Sequence, residues 1–491
     1  MNDSLRSKTV SNLSFNTVTK ILTFSIGSTS GIILARHLSA QDYGIVGFGM
    51  IFISFLSHFS DLGITSSIIR KDRIEESELF TAFMLKLLLG LLILAVSFLW
   101  GMLGSFALDN PAVKTVIVVL SATIFINCLG FLPTVTLKRE LQFKRLSIPQ
   151  VGSQVIASTV AIASVYLGFR YWSIVFANLA ATLSAVAIAW VVRPVPFKIK
   201  WDLKCAREHL AFGSHLFFAG LMGFALFNAD NFLIGAVRGA ATLGFYAVAF
   251  NWSTKATGFI GDSINDVLFS TFSRIQNEIE RMKRGYLKAL EYVSFAVLLA
   301  NSLIIALSRE LLVVVLGGGS NKWLPALYSL DVLCVYGAVR ALTEPLERVV
   351  IAIGKPDLIF KSNALAAGIQ LTALYPAIKY FGIAGAAVVV ATSSALQSLV
   401  YFPVLRREIA LSFSEVFRAI LPAVLSGGVV EVLGFGLGRI ISVSWLSIAI
   451  KLCLGCSAFL ITYGLLTRWK ILKEGLEIME LFKARAPRTS L

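Results

Sequence analysis

The sequence predicts an all-α polytopic membrane protein with about 14 transmembrane helices, in which two six-helix lobes surround a central cavity and two further helices follow. Three observations predict this fold class. Of the 491 residues, 56% are hydrophobic and only 15% are charged, against about 25% charged residues in a typical soluble domain. Apolar runs of about 20 residues, the length that crosses a bilayer, recur along the chain. Two parts of the sequence also resemble each other.

The charge balance is strongly basic, with 44 Lys and Arg against 28 Asp and Glu and a formal net charge of +16. In a soluble protein this surplus would indicate nucleic-acid binding. The mean hydropathy of +0.78 argues against it, because a soluble chain cannot bury so much apolar surface. Soluble nucleic-acid binding, disorder and a disulfide scaffold are therefore excluded. We expect the lipid bilayer, and no nucleic acid, as a partner.

The apolar runs give fourteen candidate spans, several of which are separated only by tight turns. We expect them near residues 12–35, 43–64, 79–105, 113–136, 148–168, 171–192, 211–236, 240–268, 289–308, 324–350, 359–378, 382–404, 417–438 and 445–467.

The basic residues between these spans predict the orientation, because cytoplasmic loops of membrane proteins carry an excess of Lys and Arg. A cytoplasmic amino terminus places 30 of the 44 Lys and Arg on the inner side and eight on the outer side. The other six lie within spans. We therefore expect a multi-pass protein of the cytoplasmic (inner) membrane with both termini in the cytoplasm.

Similar segments in the two halves indicate an internal repeat. The matching pairs are Ile33–Arg36 with Leu233–Arg238, Tyr43–Val46 with Leu243–Tyr246, and Tyr166–Phe169 with Tyr380–Ile383. Since the period covers six helices, an even number, both copies have the same orientation, as in parallel repeats of transporters. The predicted domains are an N-lobe (1–195), a cytoplasmic linker (196–209), a C-lobe (210–405), two helices (406–467) and a cytoplasmic amphipathic tail (468–491).

Short motifs in a fixed order carry a family resemblance over about residues 10–405. They are Ala35-Arg36-His37-Leu38, Asp42-Tyr43-Gly44, Phe59-Ser60-Asp61-Leu62-Gly63-Ile64, Asn228-Ala229-Asp230-Asn231, Ile264-Asn265-Asp266-Val267-Leu268-Phe269, Phe272-Ser273-Arg274 and Gly354-Lys355-Pro356-Asp357. With these motifs the sequence resembles the polysaccharide transporter (flippase) family of the multidrug/oligosaccharidyl-lipid/polysaccharide exporter superfamily. The branch that exports O-antigen, lipopolysaccharide, colanic-acid and teichuronic-acid units is the most similar.

The resemblance implies a flippase that moves a polyprenyl-diphosphate-linked oligosaccharide from the inner to the outer leaflet for cell-surface polysaccharide biosynthesis. It implies ion-coupled alternating access, with a proton or sodium as the coupling ion and no other cofactor. A polysaccharide polymerase and glycosyltransferases are the expected partners in the pathway, and we expect a monomer.

Basic side chains inside the predicted spans are the first candidate binding residues, because intramembrane charges are costly and usually functional. They are Lys20, Lys255, Arg340 and Arg348. A diphosphate would suit these cations. The alternative is internal ion pairing, with Glu344 four residues from each Arg. Lys86 and Lys451 lie near span ends, where we expect them to extend to the membrane surface.

Polar and aromatic residues near Lys20 and Lys255 in the sequence, and on the predicted span 211–236, could contact sugars. They are Asn16, Asn228, Asn231, Asn251 and Trp252.

Carboxylates within the spans are the candidates for ion coupling, since a buried carboxylate can carry a proton or bind sodium. Asp230 is the first, because it lies mid-span between two Asn residues. Asp61 with His58 is the second, and Glu344 is a third. Asp230 and Asp61 have an alternative role in locking a helix junction.

Two other functions are weighed against the flippase. A multidrug or cation antiporter of the same superfamily would prefer an acidic, aromatic cavity, which the deep Lys and Arg oppose. A membrane polysaccharide polymerase would need a large outer loop with catalytic residues, and no outer loop exceeds about fifteen residues. The sequence has no phosphate-binding Gly-rich loop of the ATPase type and no His or Cys spacing typical of a metal site. We therefore expect neither an enzyme nor a metal site.

Overall fold

The computed structural model describes residues 3–71, 74–103, 110–140, 142–196, 198, 200–274, 278–355 and 357–469. Within these ranges the chain is helical and contains no strand. The predicted tail from residue 470 onward lies outside the described residues. The helices are α1 (Asp3–His37), α2 (Ala40–Asp61), α3 (Ile64–Arg70), α4 (Glu76–Leu103), α5 (Pro111–Leu129), α6 (Phe131–Arg139), α7 (Phe143–Tyr166), α8 (Trp172–Val192), α9 (Leu203–Arg238), α10 (Ala240–Arg274), α11 (Ile279–Ala306), α12 (Ser308–Glu310), α13 (Leu327–Ala352), α14 (Asp357–Leu399), α15 (Phe402–Glu408), α16 (Phe413–Ile440) and α17 (Trp445–Thr467).

Local sequence signals explain where several helices begin. Ser39 and Asp42 form a reciprocal capping box at the start of α2, and Ser412 and Glu415 form the same arrangement at α16. Each pair satisfies two backbone N–H groups that a helix start leaves without partners. The Asp202 side chain caps α9 by accepting from the next backbone N–H groups. As a result α9 begins at Leu203, inside the segment predicted as a linker.

Twelve segments of the described chain are helical, long and apolar enough to cross a membrane. The protein is therefore a multi-pass membrane protein, as predicted. One of the twelve, Asp357–Glu408, contains two predicted spans and has a non-helical residue, Gly382, between them. The predicted span 240–268 coincides with α10, which is not among the twelve. The figure of fourteen spans remains a prediction.

The chain divides into two compact units. The first contains Met1–Ala247 and Ile378–Ile383, and the second contains Val248–Ala377 and Ala384–Leu491. Large buried side chains fill each of them. In the first unit a core cluster includes Ile64, Ile68, Phe83, Leu132 and Val135. In the second unit a core cluster includes Tyr286, Leu290, Val349, Tyr401 and Leu405.

Two glycines of the predicted repeat occupy equivalent backbone positions. Gly168 follows α7 with φ +83°, and Gly382 interrupts α14 with φ +64°. Positive φ values favour glycine because it has no Cβ. The matching Tyr-x-Gly segments therefore both interrupt a helical stretch at a glycine with positive φ.

A second pair of equivalent glycines lies where α2 and α10 begin. A Cβ on Gly44 would lie 1.6 Å from the carbonyl oxygen of Ala240, and a Cβ on Gly244 would lie 1.7 Å from that of Ala40. The backbones of the two helices therefore touch at two places. Gly44 corresponds to Gly244, and Ala40 to Ala240, after a shift of 200 residues, so the two contacts are equivalent. A two-fold relation between repeats produces this kind of reciprocal contact.

Candidate functional site

Asp230 lies in α9 and is almost fully buried. One carboxylate oxygen accepts a hydrogen bond from the Tyr246 hydroxyl at 2.7 Å. The other accepts from the backbone N–H of Asn231 at 2.7 Å and from its side-chain amide at 3.2 Å. Tyr246 is itself fully buried in α10. The carboxylate is thus held by neutral donors and makes no ion pair with the residues that the structure describes.

The predicted span 43–64, which carries His58 and Asp61, is broken near its end. Helix α2 ends at Asp61, and Leu62 and Gly63 both take left-handed conformations, with φ values of 38° and 70°. Thr65 therefore belongs to the separate helix α3. Its hydroxyl still donates to Asp61, because the tight turn brings the two side chains together.

The carboxylate of Asp61 forms an ion pair with Lys86 of α4, with 2.6 Å between Nζ and Oδ1. The same ammonium donates to the Thr65 hydroxyl at 3.1 Å. Lys86 is only 12% exposed, and its ammonium ends at Asp61, the last residue of the candidate span Ala40–Asp61. The sequence did not predict this ion pair, because the helix that carries the partner of Lys86 could not be identified from it.

His58 is directed away from Asp61. Its Nδ1 atom lies 2.8 Å from the carbonyl oxygen of Ser54 in the same helix. The ring packs edge-on against Phe224 of α9, with 5.7 Å between centroids, and lies against Gly220. The structure therefore pairs Asp61 with Lys86, and it places His58 at the contact between α2 and α9.

The remaining candidates of the first unit lie on α1 and α9. Lys20 is half-buried in α1, next to the buried Thr19. The side chain of Asn16 lies outside the described part of α1. Asn228 donates to the carbonyl oxygen of Phe224 at 3.1 Å within α9, so its amide oxygen remains available to a ligand.

In the second unit, α10 and α13 pack closely at Gly337. A Cβ there would lie 3.2 Å from the Thr257 hydroxyl and 3.3 Å from the carbonyl oxygen of Ser253. Small residues allow membrane helices to approach in this way. One turn from this contact, the rings of Phe250 and Tyr336 meet at 5.9 Å. The contact places the polar residues of α10 and α13 in the same region of this unit.

Of the α13 charges, Arg340 and Glu344 are paired, with 3.7 Å between Nε and Oε1. Arg348 differs, because it forms no ion pair with Glu344 or with any other described residue, and its Nε atom is buried without a hydrogen-bond partner. Glu347 accepts a hydrogen bond from the Tyr401 hydroxyl at 3.5 Å and lies close enough to Arg340 and Arg348 to interact with both electrostatically. The alternative of internal pairing therefore describes Arg340, while Arg348 retains the capacity to bind an anion.

On α10 the Lys255 ammonium lies over the Trp252 ring, 4.7 Å from its centroid. An aromatic face stabilises a cation without neutralising its charge. Asn251, one turn before Lys255, is exposed. Together these residues present a cation, an aromatic ring and an amide within about one turn of α10.

A buried ion pair in the second unit was not foreseen. The Lys451 ammonium lies 2.7 Å from Oε1 of Glu310 and donates to the carbonyl oxygen of Ala306 at 3.1 Å. The Ser447 hydroxyl donates to Glu310 at 2.8 Å. Lys451 is 5% exposed, so it does not extend to the membrane surface as we expected. Nothing in the sequence indicated that α17 would pack against α12.

Comparison with known proteins places these features in a family. Residues 33–327, more than half of the chain, match the family described as "Polysaccharide biosynthesis protein". The chain belongs to this family.

Curated relatives extend over most of the chain. The lipopolysaccharide biosynthesis protein WzxC of Escherichia coli (strain K12) is 24% identical and matches 73% of each chain. The teichuronic acid biosynthesis protein TuaB of Bacillus subtilis (strain 168) is 23% identical and matches 84% of this chain and 87% of its own. Both are proteins of cell-surface polysaccharide biosynthesis by name, in line with the branch to which we assigned the sequence.

Solved transporters share the fold. The lipid II flippase MurJ, in an inward closed conformation, aligns with a TM-score of 0.72 at 14% identity over 94% of this chain and all of its own. An inward-facing multidrug resistance MATE family transporter of the MOP superfamily aligns with a TM-score of 0.63 at 16% identity, covering 80% of this chain and 94% of that chain. The chain therefore has the fold of this transporter superfamily.

Proposed function

We propose that the protein is a flippase of the cytoplasmic membrane that translocates polyprenyl-diphosphate-linked oligosaccharide units for cell-surface polysaccharide synthesis. Family membership and the flippase fold of MurJ support this proposal. The observation that carries it is Arg348, a cation within a predicted span whose buried Nε atom has no hydrogen-bond partner among the described residues. An anionic substrate group would supply the missing partner.

In this proposal the cations bind the diphosphate and the polar residues bind the sugars. Arg348 binds the diphosphate, because a guanidinium donates two parallel hydrogen bonds to phosphate oxygens. Lys255 and Lys20 add positive charge, while Asn228 and Asn251 exchange hydrogen bonds with sugar hydroxyls. The Trp252 ring offers a stacking face. We further propose that both termini are cytoplasmic and that the protein works as a monomer between the glycosyltransferases and a polymerase.

Transport in a flippase null strain tests the role of Arg348. Removing a charged hydrogen-bonding partner costs about 1.5–3 kcal/mol, so Arg348→Ala should reduce transport at least about tenfold. Arg348→Lys should retain part of it, and Lys255→Ala combined with Lys20→Ala should also reduce it. The control Arg439→Ala removes a cation that already lies over the Phe435 ring. Full complementation by Arg348→Ala at equal expression would refute the assignment.

We propose that the coupling ion binds at Asp230. The carboxylate of Asp230 has no cationic partner among the described residues, and neutral donors surround it. Transport in proteoliposomes with imposed proton and sodium gradients tests this role. Asp230→Asn should abolish the dependence on one gradient while leaving downhill exchange. If Asp230→Asn transports with an unchanged gradient dependence, Asp230 only fastens α9 to α10, and Asp61 and Glu344 become the remaining candidates.

A multidrug antiporter is the second candidate function, favoured by the MATE-like fold. A panel of cationic drugs distinguishes the two. For a flippase, deletion should leave drug susceptibility unchanged while surface polysaccharide is lost.

A further inference from the structure

A basic pocket lies between the end of α14 and the start of α16, apart from the polar residues discussed above. It encloses about 750 Å³. Arg406 and Arg407 of α15 supply its charge. The pocket lining also contains the apolar side chains of Leu399, Phe402, Leu411 and Phe413.

The charge of this pocket is not neutralised by the part of the chain that the structure describes. Arg406 and Arg407 are exposed and make no ion pair or hydrogen bond with the described residues. The two nearest acidic residues in the sequence are already engaged. Glu408 pairs with Lys355, and Glu415 pairs with Lys283 at 2.9 Å while it also caps α16. Among the described residues, the guanidinium groups of Arg406 and Arg407 therefore have no counter-charge.

The pocket lies between two candidate membrane spans, at the level of a membrane surface. Both α14 and α16 are candidate membrane spans, so the short segment that joins them lies at a membrane surface. The first two turns of α16 carry large exposed aromatic residues that continue from the pocket wall. Phe413 is 60% exposed and Phe417 is 53% exposed, and Val424 follows on the same helix face. Since the face is apolar and leads into the span, it suits an acyl chain.

We propose that this pocket binds the headgroup phosphate of an acidic phospholipid, with an acyl chain along Phe413, Phe417 and Val424. Arginine pairs with phosphate through two parallel hydrogen bonds, which suits a lipid phosphate at this depth. A zwitterionic headgroup would bring its own positive charge close to Arg406 and Arg407. An acidic headgroup does not, so basic pockets between membrane helices select acidic lipids. The site is independent of the proposed transport function.

Native mass spectrometry of the full-length protein with added lipids tests the proposal. The probes are dioleoylphosphatidylglycerol and dioleoylphosphatidylcholine. Each arginine near an anionic surface contributes roughly a fivefold gain in affinity, so Arg406→Ala with Arg407→Ala should weaken phosphatidylglycerol binding about tenfold to thirtyfold. Phosphatidylcholine binding should hardly change. Arg406→Lys with Arg407→Lys should retain the preference for phosphatidylglycerol with reduced affinity.

The matched control is Lys204→Ala with Arg207→Ala, which removes two exposed cations from the start of α9. It should bind phosphatidylglycerol as the unmodified protein does. Three results would overturn the proposal. They are unchanged binding in the arginine-to-alanine pair, an equal loss in the control, and displacement of the phospholipid by inorganic pyrophosphate at millimolar concentration. The last result would assign the pocket to free phosphates.

Discussion

Asp61 and Lys86 form an ion pair that joins the end of α2 to α4. Removing one partner leaves a charge in a poorly solvated place, which costs more than removing both. Asp61 is 38% exposed, and solvent therefore weakens the effect. The pair nevertheless fixes the broken turn at Leu62 and Gly63, because Thr65 contacts both side chains.

We expect Lys86→Met to lower the thermal stability of the purified protein more than the double variant Asp61→Asn with Lys86→Met does. A double-mutant cycle should give a coupling energy of about 1 kcal/mol or more. The measurement is a melting curve in detergent, with Lys361→Met as an exposed control on α14. Strict additivity of the two single changes would show that the ion pair contributes no stability.

His209 of α9 is fully buried, and its Nδ1 atom lies 2.8 Å from the Ser67 hydroxyl of α3. Its Nε2 atom is buried without a partner. Burial lowers the pKa of His209 below its usual value, and Lys71 acts in the same direction, while Glu78 and Glu208 oppose them. Burial is the largest of these effects and penalises the charged ring, so the folded protein favours the neutral form.

The folded protein therefore loses stability as the pH falls through the unfolded pKa of about 6.5, because the unfolded chain then binds a proton that the folded chain excludes. The loss continues down to the lowered folded pKa. His209→Gln, which cannot titrate, should show a smaller fall in melting temperature between pH 7.5 and 5.5. An identical pH profile in both proteins would exclude His209 as the source.

At the scale of elements, helix packing in this protein depends on glycine at a few contacts. Gly44 and Gly244 lie where the starts of α2 and α10 touch, and no side chain fits there. By contrast, Gly428 of α16 has open space around the position of a Cβ. The same change, glycine to alanine, should therefore have opposite effects at the two kinds of position.

Gly44→Ala should displace one helix start and lower the melting temperature, and Gly244→Ala should do the same. Gly428→Ala should leave it equal or raise it slightly, because alanine favours a helix by up to about 1 kcal/mol over glycine. Expression and melting temperature in detergent are the measurements. If Gly44→Ala is as stable as Gly428→Ala, the backbone contact is not required.

At the scale of the whole molecule, the predicted orientation can be measured with single cysteines in a variant that lacks the five native ones. Lys379→Cys lies in a predicted outer loop, and Lys204→Cys lies in the predicted cytoplasmic linker. A membrane-impermeant maleimide should label the first in intact cells and the second only after permeabilisation. The reverse pattern would invert the topology.

The helical architecture could be predicted because apolar span length and loop charge are local properties of the sequence. The pairing of charges could not, because it depends on which helices become neighbours. Lys86 and Lys451 illustrate this, since their partners Asp61 and Glu310 lie on helices whose proximity no motif indicated. Among the candidate binding residues, the sequence identified Arg348 as a deep cation but left open whether Glu344 neutralises it. The roles of all these residues remain predictions.

The reciprocal contact of Gly44 and Gly244 also bears on how such a chain could arise. In a half-length ancestor that paired with a second copy of itself, one glycine would have served both sides of a symmetric interface. A single harmful mutation there would have damaged the contact twice. After duplication and fusion each side would become a separate position, free to drift alone. Glycine at both positions satisfies the same steric requirement on the two sides of the contact.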